Sequence, residues 1–294
     1  MLANAVLDAL AEVLGHRPEL LQQQHVGGGC INEAQRLTTD AGDFFVKTNE
    51  AGLLPMFEAE AEGLREMAAA EAIRVPIPYA TGTAIGWAFI VMEYLPTGPG
   101  TGAGHERMGR ELAAMHRHTA ERFGWHRDNT IGSTPQPNAW HHDWIAFWRE
   151  RRLGHQLDLA ARHGAPKGLI DKGRRLQDAL DAFFTDYTPV PSVLHGDLWS
   201  GNAAFTADGE PVIFDPAVYY GDREADVAMT ELFGGFPARF YDAYREAWPL
   251  DPGYRTRRTL YNLYHILNHF NLFGGGYAGQ AQRMTEQLLA ELKV

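Results

Sequence analysis

The hydrophobic and polar positions of the first fifty residues predict an amphipathic helix at the N-terminus, followed by short strands. Between residues 20 and 48 the pattern predicts three strands separated by two turns, at Gly27-Gly28-Gly29 and at the run TDAGD. In the third strand the run FFVKT places Phe45 and Lys47 on one face. The segment from Pro55 to Ala70 is rich in Ala, Glu, Leu and Met, which favours a helix directly after that strand.

The pattern changes after residue 95. Residues 73–95 contain two further strand candidates, and the second ends at Pro96 in the run PTGPGTGAG, which predicts an irregular linker. From Glu106 onward helical periodicity dominates, with short strand-like runs at PSVLHGD, NAAFTA and PVIFD. The sequence therefore predicts an α+β protein with a small β-rich N-lobe over residues 1–95 and a larger, mainly helical C-lobe over residues 96–294.

Composition and charge narrow the class of protein. The 294 residues are 45% hydrophobic, which suffices for a substantial core, and carry a formal net charge of −11 without a basic cluster, so we expect no nucleic-acid partner. The longest apolar run, Trp87 to Met92, is far shorter than the roughly 20 residues that cross a bilayer, and the first helix is amphipathic rather than a signal peptide. The only cysteine, Cys30, has no intramolecular disulfide partner. We expect a cytoplasmic protein with no membrane partner.

The run HGDLWSGN carries the most specific chemical signal. Asn202 follows Asp197 by five residues, which is the spacing between the catalytic base and a metal-binding asparagine in kinases. An aspartate in a turn after a buried strand would explain Gly196 and Asp197, but not an asparagine at this offset. The run VIFD then ends in Asp215, which puts a carboxylate at the mouth of a buried strand, where a phosphate-bridging Mg²⁺ can bind.

Earlier segments supply groups that can bind a nucleotide. Lys47 on the third strand and Glu60 on the following helix form a candidate pair for the α- and β-phosphates, with Glu58 or Glu62 as alternative partners. We prefer Glu60 because it stands three residues after Phe57, at the edge of the buried face.

The remaining nucleotide-binding candidates are weaker alone. Gly27, Gly28 and Gly29 let backbone N–H groups approach phosphates, although a permissive hairpin turn is an equal reading and no Walker motif is present. The main chain of VMEYL, at Glu93, Tyr94 and Leu95, is a candidate for pairing with an adenine edge. Together the features follow the order that a kinase mechanism uses and predict ATP and Mg²⁺ as cofactors. His265 and His269 stand four residues apart on a helix, but without the Glu of a zinc motif.

Over nearly its whole length the sequence resembles the fructosamine kinases, or ketosamine 3-kinases, of the aminoglycoside phosphotransferase-like branch of the protein-kinase-like fold. VGGGCINEAQR, FVK, MFEAEAEGL, VMEYL, HGDLWSGN and FDPAVYYGDREADVAM resemble that family's Gly-rich loop, phosphate lysine, paired-Glu helix, hinge, catalytic loop and metal segment. The segments at 123–161 and 261–277 favour this family over antibiotic kinases.

The resemblance implies a specific reaction. Asp197 would deprotonate the 3-hydroxyl of a fructosamine or ribulosamine, free or on a glycated protein, while Asn202 and Asp215 hold Mg²⁺ on ATP; the role would be deglycation. Trp199, Asn268 and His269 are candidate substrate contacts. An aminoglycoside or other small-molecule phosphotransferase is the nearest alternative, and a non-catalytic nucleotide-binding pseudokinase is the alternative of another class. A monomer and a homodimer are both open.

Two further expectations concern single residues. Cys30, at the tip of the Gly-rich loop, is a candidate redox-active thiol, and a small buried residue is an equally good reading. Asp222 and Glu224 fit a helix N-cap with an acidic first turn, whereas Asp226 is expected to support the catalytic loop from inside that helix.

Overall fold

The computed structural model describes residues 2–27 and 32–292. Its N-lobe is an antiparallel sheet with strand order β1-β2-β3-β5-β4. The strands are β1 (Leu20–Val26), β2 (Glu33–Thr39), β3 (Gly42–Glu50), β4 (Pro78–Ala84) and β5 (Trp87–Glu93). Two helices accompany the sheet, α1 (Leu2–Leu14) and α2 (Leu54–Ala68).

The alternation of β3 decides which side chains reach the site. Phe44 and Val46 pack with Val6 and Leu10 of α1 in a small apolar core. Phe45 and Lys47 alternate with these residues and therefore point to the opposite face, as predicted from the run FFVKT. Lys47 is thus directed toward Glu60 of α2. The three predicted strands and the helix that follows them are confirmed.

The C-lobe is mainly helical. Its helices are α3 (Gly102–His116), α4 (Trp144–Phe147), α5 (His155–Arg162), α6 (Lys167–Asp178), α7 (Arg223–Thr230), α8 (Ala238–Ala247), α9 (Tyr254–Phe273) and α10 (Tyr277–Glu291), with a π-helical segment at Trp148–Gly154. Its strands are β6 (Thr97–Gly98), β7 (Asn129–Ile131), β8 (Thr134–Gln136), β9 (Ser192–Leu194), β10 (Ala203–Thr206), β11 (Pro211–Ile213) and β12 (Tyr219–Gly221). Among the described residues, no helix is both long enough and apolar enough to cross a membrane.

The linker after β5 is more ordered than the sequence suggested, so the prediction of an irregular run was wrong. β6 pairs antiparallel with β10, and α3 begins at Gly102, inside the Gly-rich run. The helix can begin there because Thr101 caps it by accepting a hydrogen bond from Gly104 N at 3.1 Å. A side chain at position 104 would lie 2.9 Å from the Phe205 ring, so this glycine serves close packing. The lobe boundary at residue 95 stays a prediction.

A buried cluster fixes the N-terminus of α7, the helix that carries Asp226. Asp222 caps the helix by accepting a hydrogen bond from Glu224 N, as predicted. Its other carboxylate oxygen accepts a hydrogen bond from Tyr261 at 2.5 Å, and the Tyr261 hydroxyl accepts one from the Trp144 indole at 3.1 Å. The N-terminus of α7 is therefore fixed to α9 and to the aromatic residues of α4.

Candidate active site

The catalytic loop begins with a backbone conformation that only glycine adopts easily. Gly196 has φ +83°, and an added side chain would lie 2.0 Å from the carbonyl oxygen of Ala217. The loop then closes in a short 3₁₀ turn, in which Asn202 N donates to the carbonyl of Trp199 at 2.9 Å. This turn brings Asn202 back beside Asp197.

Asn202 is oriented by Asp197. The Asn202 side chain is buried, and its Nδ2 donates to the main-chain carbonyl of Asp197 at 2.9 Å and to Asp197 Oδ2 at 3.4 Å. Because the amide nitrogen is used in this way, Oδ1 is the atom of Asn202 that can bind a cation. The structure thus brings the predicted base and metal-binding asparagine into direct contact.

Asp226 supports the catalytic loop, as predicted. Its two oxygens accept hydrogen bonds from the backbone N–H groups of His195 at 2.7 Å and Gly196 at 2.9 Å. His116 completes the set, with its Nε2 at 3.1 Å from Asp226. Although burial acts in the opposite direction, the bonds with His116 and the loop hold the pKa of Asp226 below its ordinary value. His116 escaped prediction because a single histidine in a helix carries no signal of a partner 110 residues away.

The predicted phosphate lysine, Lys47, lies between two carboxylates. Lys47 Nζ is 2.6 Å from Glu60 Oε1 and 2.5 Å from Asp215 Oδ1, and the lysine side chain is 8% exposed. Burial lowers the pKa of Lys47, but the charges of Asp215 and Glu60 outweigh burial and raise it above its ordinary value. The lysine therefore stays charged in this cluster. Of the three glutamates considered, Glu60 is the one that the structure pairs with Lys47.

Asp215 adopts a strained backbone conformation. It follows β11 and has φ +58°, a left-handed conformation that costs a non-glycine residue on the order of 1–3 kcal/mol. Nearby, the carbonyl of Phe214 is bonded to His195 Nε2 at 2.8 Å, and Phe214 N donates to the carbonyl of Asn202 at 3.1 Å. These bonds hold the segment of Asp215 directly against the catalytic loop.

The environment of Asp197 suits a general base. Burial has the largest effect, and together with the charges of Asp215 and Asp226 it raises the pKa of Asp197 to about 7. A carboxyl group with this pKa can accept a proton more readily than an ordinary aspartate while remaining largely ionised above neutral pH.

The side chains of Asn202 and Asp215 fit a magnesium ion. Mg²⁺ prefers oxygen ligands and is often held by one or two protein groups together with substrate phosphates. Asn202 offers Oδ1, and Asp215 offers the carboxylate oxygen that does not contact Lys47, on a side chain that is 45% exposed. The donor set is therefore of the right chemistry for a cation shared with a nucleotide.

The hinge and the Gly-rich loop are only partly described. Glu93 N donates to the carbonyl of Ile77 at 2.8 Å, so this N–H is not free for an adenine edge. The Tyr94 ring faces the Arg36 guanidinium at 4.4 Å, and Leu95 is half-buried. Nucleotide contacts of Tyr94, Leu95 and the Glu93 carbonyl stay predictions. Gly27 is exposed, and no atom of the described residues lies within 4 Å of a Cβ added there. Gly28, Gly29 and Cys30 lie outside the described residues.

An aromatic row extends from the catalytic loop to α9. Trp199 is 38% exposed and its ring contacts that of Phe233, with centroids 6.4 Å apart. Phe233 in turn lies 4.8 Å from the His269 ring. The structure therefore brings Trp199 and His269 to one surface. Asn268 is placed differently, because it is buried and its amide group is bonded to Gln156 and to a main-chain carbonyl.

The chain is similar to known proteins over nearly its whole length. The sequence profile of the fructosamine kinase family matches residues 2–291. One similar protein, from Synechocystis sp., is named as a probable ketoamine kinase and is 48% identical over 97% of this chain and 96% of its own length. A chloroplastic protein-ribulosamine 3-kinase of Oryza sativa subsp. indica is 47% identical over 91% of this chain and 79% of its own.

Solved structures give the same picture. A protein from Haemophilus somnus that is named as a fructosamine-3-kinase superposes with a TM-score of 0.89 at 31% identity, over 97% of this chain and 96% of that chain. A solved aminoglycoside phosphotransferase superposes with a TM-score of 0.62 at 15% identity, which shows a shared fold alone. The predicted two-lobed, protein-kinase-like fold is confirmed.

Proposed function

Because this chain belongs to the fructosamine kinase family, we propose that it transfers the γ-phosphoryl group of ATP to the 3-hydroxyl group of a ketosamine. The acceptor is a fructosamine or a ribulosamine, carried by a small amine or by a glycated protein. The observation that carries the proposal is the arrangement of Lys47 between Glu60 and Asp215, beside a loop in which Asp197 contacts Asn202.

Each side chain of this arrangement has one task. Lys47 binds the α- and β-phosphates of ATP, and Glu60 fixes the position of its ammonium group. Asn202 and Asp215 hold Mg²⁺, which when bound neutralises charge on the phosphates. Asp197 accepts the proton of the acceptor hydroxyl as the hydroxyl oxygen attacks the γ-phosphorus and the bond between that phosphorus and the leaving ADP breaks. The Asp197 carboxylate must therefore be ionised before the reaction.

The acceptor binds beside the catalytic loop. Trp199 lies two residues after the base and presents an exposed ring on which a sugar or its carrier can pack. His269 extends the same surface through Phe233. Asn268 acts behind this surface, through its bond with Gln156, rather than by direct contact. On the nucleotide side, Gly27, Gly28 and Gly29 cover the phosphates, and Tyr94 and Leu95 lie at the adenine. The phosphorylated ketosamine then decomposes and releases the free amine.

The alternatives are less well supported. An aminoglycoside phosphotransferase would use the same catalytic groups, but the relative of this kind resembles the chain in fold alone. A pseudokinase would not need Lys47, Asp197, Asn202 and Asp215 together. A cytoplasmic location and a monomeric or homodimeric state stay predictions, and light scattering after size-exclusion chromatography tests the latter.

Turnover of ATP with a panel of acceptors tests the proposal. The panel contains a fructosamine, a ribulosamine and several aminoglycosides, and ADP release is followed in a coupled assay. We expect turnover with at least one ketosamine and none with aminoglycosides. Turnover with aminoglycosides alone would move the chain to the other branch of the fold.

A further inference from the structure

The position of α2 decides whether Glu60 reaches Lys47. In protein kinases this ion pair depends on the placement of the helix that carries the glutamate. We propose that residues 125–138, which we name the brace, hold α2 in place from the C-lobe and that Arg127 is a positioning residue for ATP binding. The inference rests on the proposed roles of Lys47 and Glu60 and assigns a task to part of the 123–161 segment.

Arg127 binds α2 at several points. Its Nη1 lies 2.7 Å from Glu62 Oε1, and its Nη2 donates to the carbonyl of Pro55 at 3.3 Å and lies 3.6 Å from Glu58 Oε2. His126 adds a contact of 2.7 Å between its Nε2 and the second oxygen of Glu62. A planar guanidinium can hold two carboxylates and a carbonyl in fixed directions, which an ammonium group cannot. The glutamates on either side of Glu60 are thus used to fix the helix.

Hydrogen bonds within the brace join Asn138 to residues 127–129. Asn138 is fully buried, and its Nδ2 donates to the carbonyl of Arg127 at 3.1 Å and to Asn129 Oδ1 at 2.8 Å. Asp128 Oδ1 accepts a hydrogen bond from Asn138 N at 2.7 Å. Because these bonds surround Arg127, its main chain cannot shift without breaking partly buried hydrogen bonds.

The brace is also hydrogen-bonded to the predicted metal segment, which contains Asp215. Gln136 Nε2 donates to the carbonyl of Ala217 at 3.1 Å, and Asn129 Nδ2 donates to the carbonyl of Val218 at 2.8 Å. Ala217 N in turn donates to the carbonyl of His195 at 2.8 Å. A continuous set of bonds therefore joins α2 to the segment that carries Asp215 and to the catalytic loop.

A second attachment lies further along α2. The Tyr220 hydroxyl donates to Glu66 at 2.6 Å, and a side chain at Gly63 would lie 3.0 Å from Val218. Val218 and Tyr220 belong to the same C-lobe segment, residues 217–220, to which the brace is hydrogen-bonded. Loss of Arg127 alone should therefore loosen α2 rather than detach it.

The expected effect is modest and specific. The Arg127 and Glu62 side chains are 26% and 38% exposed, so the pair is partly screened by solvent. Removal of the guanidinium should raise the Kd and KM for ATP by ~3–10-fold, the range that one partly exposed ion pair with extra hydrogen bonds can supply. The KM for the acceptor should change less than twofold, roughly, because Arg127 acts through the nucleotide side.

Arg127→Ala, Arg127→Lys and the control Arg149→Ala test the proposal. Arg149 is a matched control because it is 31% exposed, contacts Asp181 at 2.5 Å and donates to the carbonyl of Gln177, all within the C-lobe. ATP affinity is measured by calorimetry, and amide exchange is followed across residues 54–68. We expect weaker ATP binding and faster exchange in Arg127→Ala, a smaller effect in Arg127→Lys, and wild-type values for both in Arg149→Ala.

A charge exchange adds a readout that general destabilisation would not move. Arg127→Glu should weaken ATP binding, and adding Glu62→Arg should recover part of the loss. If wild-type protein binds ATP but Arg127→Ala matches Arg149→Ala in affinity and exchange, the brace is wrong while the proposed function stands. If wild-type protein binds no ATP, both fall together.

Discussion

Gly196 offers a sharp test of the catalytic loop, because it precedes Asp197 and has φ +83°. A methyl group there would lie 2.0 Å from the carbonyl oxygen of Ala217, about 1 Å inside the closest contact that real Cβ atoms make. Gly209 is a matched control, since it has φ +78° and no atom of residues 2–27 or 32–292 lies within 4 Å of an added Cβ. Gly196→Ala and Gly209→Ala therefore share the backbone strain, and only the first adds a collision.

The two contributions differ in size and in consequence. The left-handed conformation costs an alanine roughly 1–2 kcal/mol in either variant. At position 196 the loop or the Ala217 peptide must also move by about 1 Å, and a displacement of that size near the reacting groups can cost about 100-fold in rate. We expect kcat of Gly196→Ala to fall by ~100-fold or more, and Gly209→Ala to keep wild-type kcat.

Urea unfolding and steady-state kinetics separate these effects. Unfolding gives the free-energy cost of each variant, and the ADP-coupled assay gives kcat. Gly196→Ala should also lose more stability than Gly209→Ala because of the collision. A kcat within about threefold of wild type in Gly196→Ala would refute the view that this glycine sets the position of Asp197.

Three further variants probe other parts of the account. Asp226→Asn should unfold more easily at pH 7, by ~1–3 kcal/mol, because one oxygen that accepts a loop N–H is replaced by a donor. The folded protein holds the pKa of Asp226 below its unfolded value of about 3.9, so the ionised carboxylate stabilises the fold above that pH and the difference from Asp226→Asn should shrink as pH falls below about 4. A difference that does not depend on pH would contradict this role. Lys47→Met should lower kcat/KM for ATP by ~100-fold or more, while the surface variant Lys172→Met leaves it unchanged; equal values would remove the phosphate role. Trp199→Ala should raise the KM for the ketosamine by ~3–10-fold without changing the KM for ATP, and an effect on ATP alone would place the ring elsewhere.

Local spacing explains why much of the site could be predicted. The alternation along one strand predicts the orientation of Lys47, and the offset from Phe57 on one helix predicts that Glu60 is its partner. Asp197 and Asn202 lie within a single turn, so their separation in the chain determines their contact. Such features depend on the geometry of one element, which sequence patterns report directly.

Long-range contacts explain most of what was missed. The local pattern offers Glu62 only as an alternative partner of Lys47, whereas its partner in the structure, Arg127, lies 65 residues later in the chain. β12 was not predicted, because Tyr219–Gly221 becomes a strand only by pairing with β9. The need for glycine at position 196 likewise depends on Ala217, which a local pattern does not reveal. Tertiary neighbours, rather than propensity, decide these features.

The most direct test of the central claim is the product that wild-type protein and Asp197→Asn form from ATP and a ketosamine, identified by phosphorus and carbon NMR. The account predicts phosphate on the 3-hydroxyl carbon and a kcat that falls by ~10²–10⁴-fold or more in Asp197→Asn, with Asp208→Asn, an exposed carboxylate, as control. Phosphate on another hydroxyl, or a wild-type kcat in Asp197→Asn, would contradict it.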